Sequence, residues 1–288
     1  MIRTTLLAAT LSIAFGAAQA ETAPLQVKVY NADGASFHVN STLVYGDKEA
    51  LVIDAGFTRA DALRIAANVL DSGKELKTIF VSQADPDYYF GVETLKEFFP
   101  NAQVLATPAV LEKIKAKVDA KVAFWGPKMD ANAPKKPVLP VALNGNTLSV
   151  DGQKVEIRGT SGILAHRPYV WIPSIKTITG NVGVLNGLHV WTADTQSIAE
   201  RKAWIVQLDE MAALKPAVVV PGHMQAGAKM DISAIDYTKA YLQTFEQNLG
   251  RAKTGAELID SMKAAYPNAG LGIALDIGAK VNKGEMKW

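Results

Sequence analysis

The sequence predicts an α/β protein built as an αββα sandwich, two mixed sheets with helices on their outer faces. Three observations carry this reading. Segments alternating at period two are interleaved with segments of helical period. Their order runs from strand-rich to strand–helix and then repeats. A chain of 288 residues, 49% of them hydrophobic, can close a large core. Two sheets, each covered by helices on one side, leave no apolar face open to water.

The N-terminal segment is expected to lie outside that fold. Arg3 supplies a positive start, Leu6 to Ala18 form an apolar run, and Ala18-Gln19-Ala20 gives a small-x-small cleavage site. The run is shorter than the ~20 residues a membrane span needs. Residues 1–20 are therefore expected to be a cleaved secretory signal and residues 21–288 a single domain, periplasmic or secreted, with no membrane span.

Leu25 to Tyr30 alternates as a strand, Asn31 to Gly34 turns, and Ser36 to Tyr45 and Ala50 to Ile53 are further strands. A helix is expected from Arg59 to Asp71, with Leu63, Ala66 and Leu70 on its buried stripe and Gly73 as its stop. Lys77 to Val81 is a strand, Val92 to Phe99 a helix ended by Pro100, Gln103 to Ala106 a strand and Ala109 to Val118 a helix. Trp125 to Pro140 carries Pro127, Pro134, Pro137 and Pro140 and reads as a long surface loop. Strands follow at Thr147–Val150, Lys154–Arg158, Tyr169–Ile172 and Thr177–Thr179. The helix from Gln196 to Leu214 buries Trp204, Leu208 and Met211, with Asp194 as its N-cap, the alternative being a carboxylate that leans into a site. Ala217 to Val220 is the last strand, and helices over Tyr237–Asn248 and Ala256–Ala265 complete the chain.

The formal charge of +2, lowered by one when Arg3 is removed, gives no global attraction for nucleic acid or anionic lipid. Lys113 to Lys136 holds seven lysines beside Glu112, Asp119 and Asp130. It reads as a solvated helix face and loop, the alternative being an anion-steering element, and not as a nucleic-acid site. The chain has no cysteine, which excludes disulfides and thiolate metal sites.

Three strand ends place polar residues directly after apolar runs: Val52-Ile53-Asp54-Ala55-Gly56, Val81 through Gln83, Asp85, Asp87 and Tyr88 to Gly91, and Val220-Pro221-Gly222-His223. α/β proteins usually set their sites at such ends. Taken singly, a strand-end Asp is most often a cap and a lone His structural. Gly159-Thr160-Ser161-Gly162 lacks the second glycine of a nucleophile elbow, and Gly270-Leu271-Gly272 lacks the third glycine of a dinucleotide loop. Tyr88-Tyr89-Phe90 read as core, the alternative being a stacking surface for a substrate, and Trp171, Trp191 and Trp204 read as core.

In order and spacing these segments resemble the metallo-β-lactamase superfamily. The family's Asn-containing strand corresponds to Asn40-Ser41-Thr42-Leu43-Val44, its Asp-x-Gly to Asp54-Ala55-Gly56, and its final Gly-His to Gly222-His223. Its His-x-His-x-Asp-His reads here Gln83-Ala84-Asp85-Pro86-Asp87-Tyr88, and its Gly-Asp reads Gly180-Asn181. The resemblance extends over Val27 to His223. It implies a site for one or two zinc ions that polarise a substrate and supply a hydroxide nucleophile.

Carried over by position, Asp87 and His223 keep the ligand type, and Asp85 puts a carboxylate where a His stands. Gln83 and Tyr88 replace His, Asn181 replaces the bridging carboxylate, and His166 is the candidate for the remaining His. Asp54 supports the pocket. His38, read in a strand, and His189 fall outside the motif, and the family's full site needs more histidines than the four this chain has. The cofactor expectation is therefore none, or one weakly held zinc on Asp85, Asp87, His223 and His166.

Two functions follow from the resemblance. One is a hydrolase-like protein acting on a small ester, lactone or amide, with Asp85 and Asp87 as ligand or base. The other is a catalytically inactive relative that binds a small ligand or partner in the same cleft.

Overall fold

The computed structural model describes residues 23–288; the expected secretory signal lies outside them. The first sheet holds β1 (Gln26–Asn31), β2 (Asn40–Tyr45), β3 (Glu49–Ile53), β4 (Glu75–Phe80), β5 (Gln103–Ala106) and β6 (Val141–Ala142), in that spatial order. Its first three strands are antiparallel neighbours and the rest pair parallel. The second sheet combines β7 (Thr147–Val150), β8 (Gln153–Arg158), β9 (Tyr169–Ile172) and β10 (Thr177–Thr179) with a later strand, and β11 (Leu185–Asn186) lies apart from it. The later strand, β12 (Val218–Val219), runs parallel to β10, and β13 (His223–Met224) pairs parallel with β11.

The helices α1 (Arg59–Ser72), α2 (Pro86–Tyr89), α3 (Val92–Phe98) and α4 (Pro108–Met129) belong to the first half. The second half carries α5 (Ile198–Ala213), α6 (Ser233–Arg251), α7 (Gly255–Ala265) and α8 (Gly272–Asn282).

Period-two alternation sorts each strand's side chains between two cores. In β3, Ala50 and Val52 face the helical layer with Ile65 and Val69 of α1, while Leu51 and Ile53 face the other sheet. In β9, Val170 and Ile172 meet Leu51 and Ile53 between the sheets, while Tyr169 and Trp171 join the cluster with Trp204 and Leu208 of α5. The layers are thus helix, sheet, sheet, helix, as expected. The Thr42 and Thr179 hydroxyls join the two sheets at 2.6 Å.

Several local expectations are corrected. The buried stripe of α1 is Ala62, Ile65, Ala66 and Val69, whereas Leu63 and Leu70 are 41% and 60% exposed. The period is right but the rotation is set by Asp61, whose buried carboxylate accepts the Tyr30 and Ser36 hydroxyls at 2.6 Å each and closes a capping box with Thr58. Trp125 to Met129 is helical, not loop: Pro127 sits in the last turn of α4, where it removes only one internal bond. The helix ends at Asp130, at φ 50°. His38 is a turn residue at φ 57° beside Phe37 at φ 57°, which delays β2 to Asn40.

Ser197, not Asp194, caps α5, by a capping box with Glu200. Trp204, Leu208 and Met211 of that helix are buried as expected. The helix α8 was not anticipated; Leu271, in the left-handed region at φ 57°, opens it from within Gly270-Leu271-Gly272.

Candidate functional site

The strand ends converge because backbone bonds lock them together. Beyond β3, Asp54 adopts φ 67° and its N–H reaches the Phe80 carbonyl at 2.9 Å. The Ala55 N–H then donates to Tyr88 O at 2.8 Å, which fixes α2 against β3. The Val220–His223 segment is held from both sides. Asn40 Nδ2 donates to Pro221 O at 2.8 Å and Asn181 Nδ2 to Val220 O at 3.1 Å. The Gly222 N–H donates to Val184 O, and its carbonyl accepts from the Asn40 N–H, both at 2.8 Å.

These constraints bring Asp87, Tyr88 and His223 together. His223 Nε2 lies 3.5 Å from Asp87 Oδ2 and 3.0 Å from the Tyr88 hydroxyl. His223 Nδ1 lies 2.9 Å from the Phe37 carbonyl, which can only accept, so Nδ1 carries a proton. Burial lowers the His223 pKa below its usual range, against the Phe37 carbonyl and the Asp85 charge, which raise it. The ring is therefore neutral near pH 7, and its Nε2 lone pair accepts the Tyr88 hydroxyl proton.

The surrounding carboxyls are pushed towards neutrality. Burial raises Asp87 to about 7, opposed by its own backbone N–H and by Lys121. Burial, then Asp194 and Asp87, raise Asp85 as well. Its side chain keeps 38% of its surface in water, so the rise there is smaller than for Asp87. Lys121 stands 4.0 Å from Asp85. Asp54, 1% exposed, accepts the Ser82 N–H and hydroxyl at 2.8 Å each, yet burial outweighs both and lifts it to about 8.

This shift makes a prediction. A carboxyl whose folded pKa exceeds its unfolded value holds an extra proton in the folded state, so stability is lost as pH rises through that interval. In Asp54→Asn one oxygen still accepts the Ser82 N–H, and the new amide N–H donates to the Ser82 hydroxyl. Its stability advantage over the natural protein is expected to be near zero below 3.8 and to grow towards about 8. The growth should reach about 1.4 kcal/mol per pH unit at most. Urea unfolding across that window measures it.

The cleft has two lobes. An apolar lobe of about 160 Å³ is lined by Asp87, His223, Phe37, Trp125 and Ile273, among others. A polar lobe of about 220 Å³ is lined by Gln83, His166, Arg167, Lys113, Asp194 and Glu200, among others. Asp85, Val182, Trp191 and Trp288 border both. Trp191 is half-buried at this border rather than in the core. Tyr88, Tyr89 and Phe90 are buried.

The expected ligand positions are thus divided. Asp87 and His223 face the apolar lobe, Gln83 and His166 the polar one, and Asp85 both. Burial, then Arg167 and Lys113, lower His166 below its usual range. Gln83 turns its amide to Pro168 O at 3.0 Å. Asn181 uses both ends on backbone, its oxygen accepting the Val184 N–H at 2.8 Å. Asp194 accepts the indole N–H groups of Trp191 at 2.6 Å and Trp288 at 3.0 Å.

The sequence reading did not single out Arg167. Its one signal is a guanidinium immediately before Pro168 and the apolar Tyr169–Ile172 run.

A zinc ion does not fit this donor set. Among the described residues, no three His, Asp or Glu side chains are grouped to hold an ion. The Nε2 lone pair of His223 already accepts Tyr88, and the amides of Gln83 and Asn181 are tied to backbone.

Comparisons with known proteins agree with the fold. A family model described as the metallo-beta-lactamase superfamily matches residues 35–176. A metallo-beta-lactamase family protein from Thermus thermophilus is 18% identical, with TM-score 0.62, covering 91% of this chain and 92% of its own. A metallo-beta-lactamase from Pontibacter korlensis is 17% identical, with TM-score 0.52, covering 77% and 96%. The DIM-1 metallo-beta-lactamase is 19% identical, with TM-score 0.51, covering 78% and 99%. No curated protein matches the chain. Among the described residues no helix is long and apolar enough to cross a membrane. Over residues 35–176 this chain matches the metallo-β-lactamase superfamily, and the solved structures show that it has that fold.

Proposed function

We propose that this protein is an exported, metal-independent member of its superfamily that binds a small organic molecule in the two-lobed cleft. The observation that carries the reading is the Tyr88 hydroxyl on His223 Nε2 at 3.0 Å. It engages the lone pair that a metal would require, and it does so with a residue buried at 0% exposure. The well-formed cleft beside this pair supports retained binding. The export half of the reading rests on residues 1–20; an intact Met1 on the natively produced protein would contradict it.

One observation favours a second reading, hydrolysis without metal. The Asp87 carboxyl lines the apolar lobe with Oδ2 3.5 Å from His223 Nε2, and burial raises its proton affinity towards that of a general base.

Metal analysis of protein purified without added metal, followed by calorimetric titration with zinc, tests the first reading. The expected result is no zinc carried through purification and no saturable binding in the micromolar range. Turnover of a nitrophenyl ester that disappears in Asp87→Asn would favour the second.

A further inference from the structure

Arg167 is 5% exposed, and its guanidinium makes no hydrogen bond or ion pair among the described residues. Its carbon lies 4.0 Å from the centroid of the Trp204 ring, so the plane is stacked and fixed. Nη1 is buried without a partner, while the residue as a whole lines the polar lobe. A guanidinium carries five N–H donors in a planar fork that matches a carboxylate. Leaving the buried Nη1 without a partner is costly unless an acceptor in the lobe engages the guanidinium.

The other charges decide which acceptor. The lobe's acids already face other groups: Asp194 two indole N–H groups, Glu200 the Ser197 N–H at 2.9 Å and hydroxyl at 2.8 Å, and Asp85 the Lys121 ammonium at 4.0 Å. Among the described residues, Lys113 and Lys117 have no acid partner. Lys113 and Lys117 lie one turn apart on α4 and line the lobe. Asp85, Asp194 and Glu200 still repel a second negative charge, which favours a monoanion over a phosphate dianion. Across the border formed by Trp191 and Trp288 lies the apolar lobe, about 160 Å³ in volume. A cavity of about 150 Å³ holds a benzene ring.

We propose that the cleft binds a small organic monocarboxylate, its carboxylate on Arg167 and its aromatic or branched body in the lobe beside Trp125. This rests on the small-molecule reading above, and it adds the class of ligand and the residue that selects it.

Calorimetry on the full chain would use phenylacetate and its longer homologues hydrocinnamate and phenylbutyrate, each with its neutral amide, and benzylphosphonate. The expected result is that at least one acid binds roughly 10-fold or more tightly than its amide. Arg167→Gln should reduce the acid to the level of the amide, and Trp125→Ala should weaken acid and amide alike. If Arg167→Gln does not fold, the acid-against-amide comparison on the natural protein decides alone. Equal binding of acid and amide, tighter binding of the phosphonate, or no binding of any acid at millimolar concentration would overturn the inference. The titrations are run after chelator treatment and again with zinc. A carboxylate preference that appears only with zinc would contradict the metal-independent reading and leave the Arg167 assignment standing.

Discussion

Asn181→Asp is expected to lower stability at neutral pH by about 3–5 kcal/mol, the range for a buried charge left without compensation. Asn181 is 1% exposed, and its amide serves two backbone groups with opposite polarity. The oxygen can still accept the Val184 N–H after substitution, but a carboxylate oxygen would face the Val220 carbonyl. Once protonated, the carboxyl can donate to Val220 O, so the folded state takes up the proton and the loss should shrink as pH falls. Chemical unfolding at neutral and acidic pH measures both effects. A neutral variant at pH 7 would show that this amide is not a structural tie. The substitution also returns the residue type that the family uses between two ions. Because Asn181 is turned to backbone, no gain in zinc affinity should accompany this single substitution.

Gly222→Ala should cost about 3 kcal/mol or more, as overpacking at a fixed backbone. A Cβ there would stand 1.9 Å from the Asn181 carbonyl oxygen and 2.7 Å from the Tyr88 hydroxyl. The clash is with a backbone carbonyl, and Asn40, Asn181 and Val184 hold the Gly222 segment against it, so no side-chain rotation relieves it. Relief requires moving the strand end that carries His223. Loss of stability by urea unfolding should therefore accompany loss of small-molecule binding.

Much of the fold was legible because strand alternation and helix period report burial directly. The pairs Ala50/Val52 and Leu51/Ile53 divide between two cores as a period of two requires. What failed was decided by single polar contacts that no period encodes. Asp61, held by Tyr30 and Ser36, sets the rotation of α1, and a proline in a last turn did not end α4 early.

The site shows the same division. Strand-end spacing was enough to bring Asp87, Tyr88 and His223 together. It gave no account of which atoms are free. That Asn181 faces backbone, that Gln83 faces Pro168 and that Arg167 lacks a partner follow from three-dimensional packing around Trp204 and the Val220–His223 segment.

The central claim is that His223 has no lone pair to offer a metal, because Tyr88 holds it. Nitrogen NMR of the imidazole, with and without added zinc, tests this most directly. A neutral ring protonated at Nδ1, with Nε2 accepting a hydrogen bond and unmoved by zinc, is the predicted result. In Tyr88→Phe the Nε2 resonance should shift to that of an unbonded acceptor. An Nε2 resonance that moves to a metal-bound value on stoichiometric zinc in the natural protein would contradict the account.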